Sequence, residues 1–311
     1  MSDFIHSGWG LFVAVTSVVS LVFCLVLLII ASRRKVMADD NTTGHVWDED
    51  LREMNNPLPR WWMWLFVITV VFAAIYLTLY PGLPAGPADR PFGGTTGWTS
   101  VGQHDKDVEK ARAAAAPLFA KFSGMPAEEL VRNEQAMGIG ERLYLNNCAQ
   151  CHGSDARGAT GGFPNLTDGD WLWGGSHEQI VHGIAQGRQG NMPAMGAAVG
   201  GGENVRNLAH YVLSLSGSAH NSIWAQLGRQ HWGVCAACHA ADGSGNHALG
   251  APNLTDRIWL HGGTEQAIVS IINNGKVNVM PAFSGRLSDE QIHVLGAYVW
   301  GLSQPTTVAG R

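Results

Sequence analysis

Cys148-Ala149-Gln150-Cys151-His152 decides how the rest of the chain is read, and it returns as Cys235-Ala236-Ala237-Cys238-His239. Both are C-x-x-C-H. Two thiols one helical turn apart can each form a thioether to a vinyl group of a c-type haem, and the adjacent histidine then lies under the iron as its proximal ligand. One match could arise by chance in a chain rich in Gly and Ala. Two matches, each followed by a Met-Pro at a similar distance, are hard to obtain that way. The sequence therefore predicts two covalently attached haem c groups, one on Cys148, Cys151 and His152 and one on Cys235, Cys238 and His239. Zinc on the cysteine pairs is the alternative. The histidine directly after each second cysteine, and a partner methionine, speak against it.

Outward from these motifs the chain repeats itself. Pro164-Asn165-Leu166-Thr167-Asp168 matches Pro252-Asn253-Leu254-Thr255-Asp256, Trp171 matches Trp259, and Gly174-Gly175 matches Gly262-Gly263, all at an offset of 88 (253 − 165). The cysteines are offset by 87 (235 − 148). Leu208-Ala209-His210-Tyr211-Val212 resembles Leu295-Gly296-Ala297-Tyr298-Val299. Such a repeat predicts two copies of one unit. Each reads as helix, haem motif, long loop, helix, methionine loop, helix. The first helices are read from Gly140-Glu141-Arg142-Leu143-Tyr144 and from Leu227-Gly228-Arg229-Gln230. Ser176 and Thr264 are the expected N-caps of the middle helices, with capping boxes at Ser176/Gln179 and Ser288/Gln291. No run of alternating β-branched residues argues for a sheet. The expected fold is all-α, with two tandem cytochrome c domains at residues 136–217 and 222–304.

The distal ligand decides what such an iron does. Asn191-Met192-Pro193 and Val279-Met280-Pro281 lie 40 (192 − 152) and 41 (280 − 239) residues after the histidines. A thioether opposite a histidine leaves no open coordination site and stabilises the reduced state. Met192 and Met280 are thus the expected axial partners of His152 and His239, an arrangement for passing electrons. Met195 is a rival to Met192, but Phe283 stands at its place in the second repeat. His177, His182, His210, His247, His261 and His293 are further candidates, none recurring in both repeats. Within-repeat pairing is the default, and an exchange of methionines between domains stays open.

Towards the N-terminus, residues 9–31 and 61–80 are apolar runs without Asp, Glu, Lys, Arg or His, each long enough to cross a hydrocarbon core of roughly 30 Å as a helix. Trp61, Trp62, Trp64, Tyr76 and Tyr80 suit the interfacial belts. The first run is too long for a signal peptide and is followed by Arg33-Arg34-Lys35. These charges, with Arg52 and Arg60, place the 32–60 loop in the cytoplasm and everything after Tyr80 in the periplasm, where bacteria attach haem c. The expected organisation is a first membrane helix with its flanks (1–35), a cytoplasmic loop (36–60), a second helix (61–80) and a periplasmic arm (81–135). The uncharged spans serve as anchors or packing surfaces rather than as a proton path or a b-haem site. Thr16, Ser17, Ser20 and Thr69 suit interhelical contacts or lipid-facing, internally satisfied hydroxyls. Cys24 reads as a small buried hydrophobe. Residues 81–102, rich in Pro and Gly, read as an irregular lead, followed by helix from 103 until Pro117 and another helix start at Met125-Pro126-Ala127.

Composition agrees. Charged residues are 14 % and apolar residues 46 % of 311, as membrane segments require, and a net charge of −5 without a basic run excludes nucleic acid as a partner. The haem region 139–303 carries 11 acidic and 8 basic side chains, too small an excess to define a docking face.

Two N-terminal spans, two C-x-x-C-H domains and the stretch Gly44-His45-Val46-Trp47-Asp48-Glu49-Asp50-Leu51-Arg52-Glu53-Met54-Asn55-Asn56-Pro57-Leu58-Pro59-Arg60-Trp61-Trp62 resemble the dihaem subunit III of cbb3-type cytochrome c oxidases, the CcoP or FixP family. Many members have one span, and this chain resembles the subset with two. The resemblance implies a non-catalytic electron-transfer subunit of a terminal oxidase in the bacterial inner membrane. Its implied partners are a catalytic haem-copper subunit I, a monohaem cytochrome c subunit II, a small membrane subunit, and a soluble or membrane-bound donor cytochrome c. It also implies exchange of the axial methionines between domains. A dihaem peroxidase, an electron-accepting subunit of a periplasmic dehydrogenase and a freestanding membrane cytochrome are the rivals.

Overall fold

The structure, a computed structural model, describes residues 6–33, 42–54, 58–159 and 161–304. Arg34 and Lys35, and Asn55, Asn56 and Pro57, lie outside them. The chain divides into two compact units, residues 1–115 and 116–311.

In the first unit, α1 (Ser7–Arg33) and α2 (Arg60–Leu79) are both long and apolar enough to cross a membrane. Neither packs most of its surface on anything, and α2 buries no residue. Cys24, expected to be buried, is exposed on α1, because the helix has almost no protein around it. Thr16 and Thr69 donate to the carbonyls of Phe12 and Phe66 in their own helices, at 2.8 and 2.7 Å, which satisfies them without a neighbour. Between the helices stands an antiparallel hairpin, β1 (Thr42–Trp47) and β2 (Leu51–Met54). After α2 the Pro- and Gly-rich segment turns back on the helix end. Thr95 and Thr96 donate from their backbone N–H groups to the carbonyls of Thr78 and Leu79, and Gly94, at φ +69°, makes the close approach that a Cβ would block. Carbonyls that a helix end leaves without partners are satisfied in this way.

Helix α3 (Ser100–Ala120) starts three residues before the expected 103 and runs past Pro117 instead of stopping there. A proline this close to the end removes a single hydrogen bond. Burial of Phe119 and Phe122 holds the last turn in place. Helix α4 (Ala127–Leu130) follows Pro126 as read, with Leu130 fully buried.

The second unit is mostly helical. The first repeat holds α5 (Glu134–Asn147), α6 (Ala149–His152), α7 (His177–Gln186), a short strand β3 (Arg188–Met192), α8 (Gly196–Val199) and α9 (Gly202–Leu215). The second holds α10 (Ser222–Gly228), a 3-10 turn (Arg229–His231), α11 (Gly233–His239), α12 (Glu265–Asn274), β4 (Lys276–Met280) and α13 (Asp289–Leu302). Helices α5 and α10 begin earlier than read, because Asn133 and Asn221 cap them. Asn133 Oδ1 accepts from the Ala136 N–H, and Asn221 Oδ1 from Ile223 and Trp224. The capping boxes Ser176/Gln179 and Ser288/Gln291 form as expected, and Thr264 caps α12.

Two features depart from an all-helical reading. Besides the β1–β2 hairpin, β3 and β4 pair antiparallel, joining Arg188 to Met280, Gly190 to Asn278 and Met192 to Lys276. Second, the helices that close the two cores are exchanged. One core joins Tyr144, Cys148, Ile180 and Ile184 of the first repeat to Phe283, Leu287, Ile292, Leu295 and Val299 of the second. The other joins Val205, Leu208, Val212 and Leu213 of the first repeat to Trp232, Ile268 and Ile272 of the second. Glycines mark both crossings. A Cβ on Gly140 of α5 would lie 2.5 Å from Tyr298 Cβ of α13, and one on Gly228 of α10 would strike the backbone of Asn207 and Leu208 in α9. Packing units and sequence repeats therefore differ, and neither core is confined to residues 136–217 or to 222–304.

Candidate haem sites

The first C-x-x-C-H follows the end of α5 and runs through α6, and the second lies within α11. Cys148 is buried at the end of α5 and Cys151 is exposed one turn on; Cys235 is half-buried and Cys238 exposed. None of the four is in a disulfide. Burial, with Cys151 adding to it, pushes the Cys148 thiol up to about 11. Burial, then Cys238, raises Cys235.

Both histidines are oriented identically. His152 Nδ1 is 3.0 Å from the Pro164 carbonyl oxygen, and His239 Nδ1 is 3.0 Å from that of Pro252. A carbonyl can only accept, so Nδ1 carries the proton and Nε2 keeps a free lone pair. Fixing the tautomer through a backbone carbonyl on the other ring nitrogen is how proteins prepare an imidazole to bind a metal. Burial lowers both histidine pKa values against a smaller upward effect of the carbonyl, which favours the neutral, ligating ring. The repeated Pro164-Asn165-Leu166-Thr167 stretch and its copy thus have a mechanical purpose. Asn165 and Asn253 accept from the N–H and hydroxyl of Thr167 and Thr255 at 2.9 and 2.7 Å, which pins the turn that presents the carbonyl.

A second brace was not read from sequence. Tyr144 donates its hydroxyl to Gly153 O at 2.7 Å, and Trp232 donates Nε1–H to Ala241 O at 2.9 Å, each tying backbone just before a motif to backbone just after it. The signal was present: an aromatic four residues before Cys148 and three before Cys235. Each brace also packs on an aromatic of the other repeat, Tyr144 on Tyr298 at 5.7 Å and Trp232 on Tyr211 at 5.5 Å.

The methionines follow the same exchange. Met280, with Trp171 and Leu166, packs on the core that contains Cys148. Met192 and Met195, with Trp259 and Leu254, pack on the core that contains Cys235 and Trp232. Backbone bonds hold the loops there: Phe283 N–H donates to Ile184 O at 3.0 Å, and Met195 N–H to Ile272 O at 2.8 Å. Met195 and Phe283 are therefore equivalent anchors of their loops, whereas Met192 and Met280 occupy equivalent ends of the β3–β4 ladder. The ladder sets a cation opposite each methionine, Arg188 across from Met280 and Lys276 across from Met192. Arg188 also stacks on Trp173 at 5.1 Å and donates to Gln179 O.

Three of the other histidines are bonded elsewhere. His177 Nε2 donates to His293 O at 3.2 Å, and His293 Nε2 to Met125 O at 2.9 Å. His210 is buried, with Nε2 3.1 Å from Glu265 and Nδ1 accepting from the Asn221 N–H. His261 differs. Its Nε2 accepts from Asn278 at 2.8 Å, and its ring also lies against the Gly161 backbone. It sits at the position of Trp173 in the first repeat, close enough to Lys276 for that charge to help burial depress its pKa. Paired thiols, a preset imidazole and a sulfur on the same core together fit haem c at both motifs.

Comparison with known proteins gives the same direction. A family described as the N-terminal domain of cytochrome oxidase-cbb3, FixP, matches residues 39–87, and one described as cytochrome c oxidase, cbb3-type, subunit III, matches residues 135–212 and 225–299. The chain is 64 % identical to the cbb3-type cytochrome c oxidase subunit CcoP of Rubrivivax gelatinosus over the full length of both. It is 42 % identical to subunit FixP of Azorhizobium caulinodans, over 83 % of this chain and 92 % of that one. Subunit CcoP of Cereibacter sphaeroides is 35 % identical over 84 % and 94 %.

Proposed function

The chain belongs to the subunit III family of cbb3-type cytochrome c oxidases, and on that premise we propose that it is a dihaem electron relay with no catalysis of its own. Haem c, when bound, supplies a one-electron iron couple at each motif. The chain's residues do the rest. Cys148 and Cys151, and Cys235 and Cys238, hold the groups. His152 and His239 would offer Nε2 to the irons, and Met280 and Met192 would offer sulfur, each methionine coming from the repeat opposite the cysteines it serves. The observation that carries this reading is the placement of each methionine on the core of the other repeat's cysteines. With a nitrogen and a sulfur bound to each iron, no position would remain for oxygen or peroxide.

Two apolar helices anchor the chain in the inner membrane, with residues 36–60 cytoplasmic and the haem units periplasmic. Electrons enter from a donor cytochrome c and leave towards the haem-copper subunit I, with a monohaem subunit II and a small membrane subunit as neighbours. Donor oxidation by the complex with and without this subunit tests the reading. Turnover is expected to fall sharply without it, and unchanged turnover would overturn the relay. A vacant or water-occupied iron in the native complex would overturn the ligand set.

A further inference from the structure

The β1–β2 hairpin buries almost nothing of itself. Trp47 and Leu51 stand directly across from one another and are 60 % and 61 % exposed. His45 stacks on Trp47, with ring centroids 6.4 Å apart. Val46 and Met54 are likewise open. Two strands without a third, or a surface to lie on, are marginal in water. The turn adds to this. Asp48 and Glu49 both adopt the left-handed region, at φ +47° and +71°. A three-residue hairpin loop more often carries Gly at its left-handed position. This one accepts the less favourable conformation and carries Asp48, Glu49 and Asp50 at its tip, with Glu53 behind them. Strain of this kind persists where a surrounding surface or a function requires it.

The charge selects the occupant. A second copy would oppose carboxylates to carboxylates. The cytoplasmic leaflet is anionic and repels such a tip. Cytoplasmic loops of membrane proteins are rich in Lys and Arg. We propose that the hairpin docks on a Lys/Arg-rich cytoplasmic loop of a neighbouring membrane-spanning subunit of the oxidase, Trp47 and Leu51 giving the apolar contact and Asp48–Asp50 the charge pairing. This rests on the cytoplasmic placement of residues 36–60 given above.

The test uses the full chain in native membranes, with the photoreactive p-benzoylphenylalanine in place of Trp47. The expected result is a cross-link to a membrane-spanning oxidase subunit, mapped by mass spectrometry to a basic loop. The triple variant Asp48→Lys, Glu49→Lys, Asp50→Lys should lower its yield roughly ten-fold or more. Cross-linking to lipid only, to a second copy of the chain, or to nothing would overturn the docking. Haem stain per chain checks that each variant matures. Thr43→Cys in a Cys24→Ser background, labelled from one side of the membrane, separates the two readings. Labelling from the periplasm would sink the topology and the docking with it, whereas cytoplasmic labelling without a cross-link would sink the docking alone.

Discussion

Replacing Gly140 by Ala tests the exchange of helices most directly. The new Cβ would lie 2.5 Å from Tyr298 Cβ and 3.4 Å from Val294 O. Carbon atoms rest at roughly 3.5–4.0 Å, so α5 and α13 must separate by about 1 Å. Overpacking of this kind costs about 1–3 kcal/mol. Against it stands the helix gain of Gly→Ala, about 1 kcal/mol. Gly138 supplies the control: it lies in the same helix, and a Cβ there meets nothing nearer than Arg142 at 3.9 Å. Gly138→Ala should therefore stabilise by about 1 kcal/mol and Gly140→Ala should fall below it by about 1–3 kcal/mol. At about 2–4 °C per kcal/mol for a unit of this size, the two should differ by about 2–12 °C in melting of the haem-loaded chain in detergent. A double-mutant cycle identifies the partner. Tyr298→Gly removes the opposing Cβ and should couple to Gly140→Ala by about 1–3 kcal/mol, while Tyr211→Gly should add independently. Equal melting of the two alanine variants, or coupling to Tyr211 instead of Tyr298, would refute the crossed packing.

Met280→His should keep both haems attached and lower the potential of the one on Cys148, by a sizeable part of the roughly 0.8 V that axial ligands span; redox titration in chains lacking one or the other attachment pair assigns the effect. Cys238→Ala should weaken or abolish attachment at the second motif, seen as about half the haem stain per chain. Trp232→Phe leaves the Ala241 carbonyl without its 2.9 Å donor and should destabilise the second core by about 1–3 kcal/mol in chemical unfolding. Ser288→Ala removes the box that starts α13 and should cost about 1 kcal/mol, with the loss appearing first in the spectrum of the haem on Cys148.

Local chemistry was the legible part of this chain. Ser176 with Gln179 and Ser288 with Gln291 cap where they were read, because a capping box depends on residues three apart and on little else. Pro117 misled, since buried Phe119 and Phe122 outweigh one lost hydrogen bond. The β3–β4 pair was invisible because Arg188-Gln189-Gly190-Asn191-Met192 has no strand preference; its conformation is imposed by β4 alongside. The choice of partner helix was beyond reach for a different reason. Helices α9 and α13 carry matching patterns, Leu208 to Val212 and Leu295 to Val299, so either is chemically able to close either core. Only the path of the connections between them decides, and that is a property of the assembled backbone rather than of residue types.

Ligation across the repeats, as proposed, would give the two sites different histories. In chain order Met192 precedes His239 by 47 residues (239 − 192), while Met280 trails His152 by 128 (280 − 152). The later cysteines emerge to find their sulfur already outside. Haem held on Cys148 and Cys151 before Met280 is made would have only His152 of the proposed pair to bind its iron. A chain stopped before residue 280 should therefore bear a high-spin iron on Cys148, and spectra of such truncated chains would reveal it.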